Sequence, residues 1–245
     1  MSPTQTSAVE TREQALSAIR GAERFVLITH EHPDGDALGS LLGMHRVLQA
    51  LGKDSVMFIS EQELPLPYEY RWLGLDGVHG TVPADIADRV IMFLDCGNID
   101  RNPVEAFRSE TATILNIDHH HDNTRFGTVD YVVGEASCTA ELVWDLMRGL
   151  GVELTPEIAE PLYVGLITDT GRFMYQNAGV RAHTMAAECI AAGVDPARVN
   201  RAVYEGWPEQ KLRLFALGLT NARREVGGAL TLSMLSARDF AATGA

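Results

Sequence analysis

The chain has 245 residues, 46% of them hydrophobic, and a formal net charge of −13 at pH 7. That length and apolar share give one large domain, or two small ones, a sizeable core. The acidic balance argues against a long duplex nucleic acid as partner, which calls for a basic face. It leaves room for a small anionic substrate whose charge is met by bound cations.

The opening "MSPTQTSAVETREQ" is polar and acidic, and reads as neither a signal peptide nor a membrane anchor. No apolar run nears the roughly 18–20 residues that span a bilayer. A short helix is expected at 15–23 and a strand at 24–30, "RFVLITH". Residues 36–52 have leucines at helical spacing, with Gly52 as C-cap. Strands follow at 55–60, 89–96 and 111–120, with a short edge strand at 127–133. Beyond Ser137 the pattern is helical at 137–150, 156–168, 180–192, 196–205 and 208–222. A late strand at 228–235 has nothing after it to pair with. Strands alternating with helices predict an α/β fold, a parallel β-sheet flanked by helices. Cys96, Cys138 and Cys189 are scattered, as expected of reduced thiols in a cytoplasmic protein.

Three strand runs end in ligand-type residues: His30, Asp95, and Asp118-His119-His120. In a parallel sheet these ends share one edge, the edge at which open α/β sheets bind ligands. The loop "HEHPDGD" adds Asp34 and Asp36, turned by Gly35. A histidine after a strand, or a lone "PDGD" turn, means little by itself. The convergence of three strand ends is what carries weight. His30, Asp34, Asp36, Asp95 and His119 together make three carboxylates and two imidazoles. Like charges so close cannot all ionise unaided. An oxygen-rich set with a few imidazoles suits Mn²⁺, or Mg²⁺, better than a thiolate-type zinc site. Two ions about 3.5–4 Å apart suit a set this large. His32 and His121 are expected to support the site or face solvent, and Cys96 to pack. The glycines at 35, 39 and 43 lack the lysine of a phosphate loop. Gly39 and Ser40 are expected to let their helix pack on the sheet.

The stretches "HEHPDGDALGS", "DCGNIDR", "NIDHHHDNTRFG" and "GLITDTGRF" resemble, in order, the four motifs of the DHH phosphoesterases. The resemblance covers roughly residues 15 to 205 and is nearest to the nanoRNases, exonucleases on short oligoribonucleotides that also act as pAp phosphatases. It implies that His30 and Asp34 hold one ion, that Asp36, His119 and Asp169 hold a second, and that Asp95 bridges both. It implies that His120 acts at the scissile phosphate, as electrophile or general acid. Asn123 would hold its loop or touch substrate, and Arg101 would contact phosphate. Asp169 enters only through this resemblance.

The expected activity is two-metal hydrolysis of short nucleotides: pNpN-type RNA, pAp, or cyclic dinucleotides. The alternatives are a manganese-dependent inorganic pyrophosphatase and a non-catalytic nucleotide-binding module. The expected domains are 1–205 catalytic, 206–228 a helical linker, and 229–245 the start of a C-terminal domain cut short. The nucleotide-gripping glycine motif of that domain is not matched by "VGG" at 226–228. The late strand is then left unpaired or borrowed into a homodimer contact.

Overall fold

The computed structural model describes residues 8–108 and 111–245. Two compact units divide at Val199/Asn200. The first is built on a six-stranded, wholly parallel sheet. In chain order it holds α1 (Ala8–Gly21), β1 (Arg24–Ile28), α2 (Gly35–Ala50), β2 (Asp54–Phe58), β3 (Val78–His79), β4 (Val90–Leu94), β5 (Ile114–Asp118), β6 (Val129–Val132), α3 (Thr139–Gly149), α4 (Pro156–Asp169) and α5 (Val180–Ala191). α6 (Pro196–Tyr204) runs across the division.

The strand order is β3-β2-β1-β4-β5-β6. From β1 the chain builds outward through β2 and β3; it then returns beside β1 and builds the other way. The β1/β4 junction is therefore the switch point of the sheet, where a crevice opens beyond the carboxyl ends. Ile28 is level with Phe93 across that junction, so the residues that follow the two strands emerge together.

The strands are near-continuous apolar runs because both sheet faces are covered. Val26, Ile28, Phe58, Ile91 and Phe93 cluster with Phe107 and Ile114. Val82, Ile86, Ile99, Val104 and Phe126, from short turns and loops, pack against that cluster. α2 packs on β1, β2 and β4, α3 on β5, and α1 on β6.

Several expectations need correction. Of the ligand-type residues expected inside strands, Asp118 is the last of β5, whereas His30, Asp95, His119 and His120 lie past the strands: β1 ends at Ile28, β4 at Leu94 and β5 at Asp118. Asp95 has left the extended conformation, at φ +60°. The first helix starts at Ala8, ahead of the expected 15. The two-residue β3 was not foreseen, being too short to show periodicity. Gly39 faces α4, not the sheet: a Cβ there would lie 2.3 Å from the Pro161 carbonyl oxygen. Cβ atoms at Gly35 and Gly43 would likewise strike Thr168 and Leu162, so this glycine row seats α2 against α4.

In the second unit, α7 (Glu209–Thr220) is followed by β7 (Arg223–Glu225), β8 (Leu230–Leu232) and α8 (Ala237–Thr243). The late strand is thus not unpaired. β8 pairs antiparallel with β7, which lies past the helix expected at 208–222, in the stretch expected to be a helical linker. Gly227 and Gly228, both at positive φ, allow the turn between them. Among the described residues no helix is long and apolar enough to cross a membrane.

Candidate metal centre

The loop from β1 to α2 is fixed by its own backbone. His30 follows the strand and is 5% exposed, with Nδ1 2.7 Å from the Glu31 carbonyl oxygen. An N–H at Nδ1 then leaves Nε2 as the free nitrogen, 3.6 Å from Asp95 Oδ2. Asp34 caps α2: its Oδ1 accepts from the Asp36 and Ala37 N–H groups at 3.0 and 3.1 Å. In the first turn of α2, Asp36 is fully buried.

Asp95 lies at the switch point and faces both sides. Its Oδ2 is turned to His30, while Oδ1 lies 3.6 Å from His119 Nε2 and 3.7 Å from His120 Nδ1. His119 Nε2 is also 3.4 Å from Asp169 Oδ2 and 3.9 Å from Asp36 Oδ2. Asp169 reaches the centre as the last residue of α4. Three overlapping groups result, each with ligand atoms within 4.8 Å of one another: His30-Asp34-Asp95, Asp36-His119-Asp169 and Asp95-His119-His120. All six residues named for the two ions therefore converge, and His120 is within reach as well.

The electrostatics are those of crowded acids. Burial, then Asp95 and Asp169, push the Asp36 carboxyl well above the usual range. Burial is also the largest cause that lifts Asp169, to about 6, with Asp95 and Asp34 adding to it. For Asp95 burial opposes charge, but the His30 contact and the fields of His119, His30 and His120 outweigh it and hold the carboxyl low. His30 is raised: burial acts against it, and is outweighed by Asp95 and the Glu31 carbonyl. His120 is lifted to about 9, chiefly by its hydrogen bond to Asp118.

Asp118 is fully buried and accepts from two sides. His120 Nδ1 lies 2.7 Å from Oδ1, and Asn123 Nδ2 donates to Oδ2 at 2.5 Å. Asn123 Oδ1 accepts from Asn116 and from the Arg125 N–H, so both ends of this amide hold the loop. Arg101 ends a short 3₁₀ turn, Ile99–Arg101, and its carbonyl accepts from Glu31 N–H at 2.8 Å. Its charge acts against protonation of both His30 and His120. The guanidinium has no ion-pair partner among the described residues. His121 packs over Gly134, where a Cβ would lie 2.5 Å from its Nδ1. His32 is exposed and bonded to Glu63, away from the cluster. Cys96 packs in the core, as expected.

Two supports went unseen in the sequence. Thr139 and Ala140, at the start of α3, donate backbone N–H groups to Asp36, and the Thr139 hydroxyl donates to Asp95. The only signal was a Ser-x-Thr step before a helix, which reads as an ordinary helix start.

Residues 24–166 match the model of the DHH family, N-terminal domain. The chain belongs to the DHH family. It is 34% identical over 229 residues to a Thermus thermophilus protein named bifunctional oligoribonuclease and PAP phosphatase NrnA, covering 91% of this chain and 65% of that one. A Bacillus subtilis protein of the same name is 26% identical over 198 residues, 79% of this chain and 61% of its own length. The chain thus spans a little under two thirds of these relatives. Among solved structures, an exopolyphosphatase-related protein from Bacteroides fragilis superposes with a TM-score of 0.86 at 24% identity, over 99% of this chain and 74% of that one. That likeness speaks for the fold.

Proposed function

We propose that the chain is a two-metal phosphoesterase acting on short nucleotides: pNpN-type oligoribonucleotides, pAp, and in a wider range cyclic dinucleotides. The observation that carries this reading is Asp95, one carboxylate shared between ligand groups on either side of it. The names of the Thermus and Bacillus relatives support the substrate class.

The residues fit divalent cations. Asp36, Asp95 and Asp169 crowd together, and among the described residues no lysine or arginine pairs with them. Oxygen donors with two imidazoles favour Mn²⁺ or Mg²⁺. His30, Asp34 and Asp95 would hold one ion, and Asp36, His119, Asp169 and Asp95 the other. Bound there, such ions supply charge stabilisation on the phosphoryl oxygens and an activated water.

The chain's own groups do the rest. Arg101, whose charge acts on His30 and His120 and whose guanidinium has no ion-pair partner among the described residues, meets a phosphate oxygen. Asp118 takes up Nδ1 of His120 and so leaves Nε2 as the nitrogen that delivers a proton to the leaving oxygen. Asn123 holds Asp118 and hence the histidine. A cleft of about 340 Å³ beside His119 and His120, lined also by His121, Gly134 and Asn177, has room for part of a nucleotide.

The test is hydrolysis of pApA, pAp, cyclic di-AMP and pyrophosphate with added Mn²⁺. Cleavage of pApA and pAp with little action on pyrophosphate is expected. Pyrophosphate as the preferred substrate would favour the pyrophosphatase alternative, and no cleavage of any of the four would favour a binding module.

A further inference from the structure

The start of α3 ties two of the carboxylates together. The first turn of a helix leaves N–H groups that need acceptors, usually supplied by its own N-cap side chain. The N-cap of α3, Cys138, makes no such bond. Asp36, brought from α2, takes that place: Thr139 N–H donates to Oδ2 at 2.6 Å and Ala140 N–H to Oδ1 at 2.9 Å. Ser40 Oγ donates to Oδ1 at 3.2 Å. A Cβ on Gly165 would lie 2.7 Å from Oδ1, so α4 leaves the carboxylate its seat.

Thr139 also reaches the other way. Its hydroxyl, fully buried, donates to Asp95 Oδ1 at 3.0 Å. That is the oxygen facing His119, while Oδ2 faces His30. With Oδ2 turned to the His30 side and Oδ1 to the His119 side, Asp95 presents one oxygen to each ion position, and rotation about its terminal torsion would spoil both. Such torsions are broad and need a partner to fix them. Residue 139 thus holds Asp36 with its backbone and sets the rotation of Asp95 with its side chain.

We infer that Thr139 is a positioning residue for both metal positions, its hydroxyl holding Asp95 in the bridging orientation. This rests on the metal reading above and deepens it. Hydrogen-bond partners behind metal ligands affect affinity by about 10- to 100-fold.

The experiment compares wild type with Thr139→Ser, Thr139→Ala and Thr139→Val. Ser and Ala both lack the methyl group and differ only in the hydroxyl; Val keeps the volume and lacks the hydroxyl. Each protein is stripped with a chelator, checked by circular dichroism and thermal melting, and titrated with Mn²⁺ while free Mn²⁺ is read by electron paramagnetic resonance. The expected result is wild-type affinity for Thr139→Ser, and affinity about 10- to 100-fold weaker for at least one ion in folded Thr139→Ala and Thr139→Val. Wild-type affinity in the Ala and Val proteins would overturn the inference. So would failure of both to fold, since the hydroxyl would then serve the fold and not the ligands. If wild type itself binds no Mn²⁺, the metal reading falls and takes this inference with it.

Discussion

Asp95 combines three features that seldom meet in one residue: near-complete burial, a left-handed backbone at φ +60°, and side-chain neighbours on both oxygens. A non-glycine residue at that φ is uncommon, although aspartate tolerates it better than most. Its retention at a strand end fits a site that over-determines the backbone. As the shared ligand, Asp95 should be the hardest to replace. Asp95→Asn is expected to lose both Mn²⁺ ions, and Asp36→Asn mainly one, by elemental analysis of the purified proteins. Two tightly held ions in Asp95→Asn would remove the bridging role. His120 has a different expectation. With Nδ1 engaged by Asp118, His120→Ala should keep both ions yet lower kcat and kcat/KM together by about 10²- to 10⁴-fold, as for a lost proton donor. Loss of an ion from His120→Ala would instead make it a ligand, as its 3.7 Å approach to Asp95 permits.

At the scale of elements, the site depends on how closely α2 meets α4, since these helices carry Asp36 and Asp169. The glycine row makes that approach possible. Gly39→Ala would place a methyl group against the Pro161 carbonyl, a rigid backbone atom. It is expected to destabilise the protein by about 1–3 kcal/mol, read as a lower urea midpoint with unchanged slope. Gly21→Ala is the control. Nothing lies within 4 Å of the added methyl at the end of α1, so stability should hold or rise. Equal midpoints for the two variants would mean that α2 and α4 are not seated as described. The sequence foretold much of this level, because strand ends are marked by a change of residue chemistry. His30, Asp95 and His119 each follow an apolar run, and a parallel sheet has only one edge on which to gather them. What it hid depends on contacts between distant segments. Gly39 is read against its own helix and not against Pro161. Thr139 has no periodic signature at all. Asp169 lies at the end of an apolar helix, where an aspartate is equally at home as a turn residue. β7 fell unseen within the expected linker because a three-residue strand depends on its partner more than on its own pattern.

For the molecule as a whole, a crowded acidic centre should make the ion-free protein less stable than the loaded one. Ligands that bind only the folded state stabilise it by about 2.7 kcal/mol at a hundredfold excess over Kd. Mn²⁺ is therefore expected to raise Tm in wild type and much less in Asp95→Asn, read by differential scanning calorimetry. Equal shifts in the two proteins would place the effect elsewhere. The three cysteines report on the same fold. All are free and buried, and burial pushes the Cys96 and Cys189 thiols up to about 12 and Cys138 well above its usual value. A thiol reagent is expected to label none of them promptly in the native protein and all three after denaturation. Prompt labelling of native protein would contradict the packing of the first unit. That a shared carboxylate joins two cations for phosphoester hydrolysis is checked by titrating Mn²⁺ into ion-free protein and following pApA cleavage together with bound metal. No cleavage is expected without the ion, and full activity when two Mn²⁺ are bound per chain. Full activity with one ion bound, or with none, would contradict it.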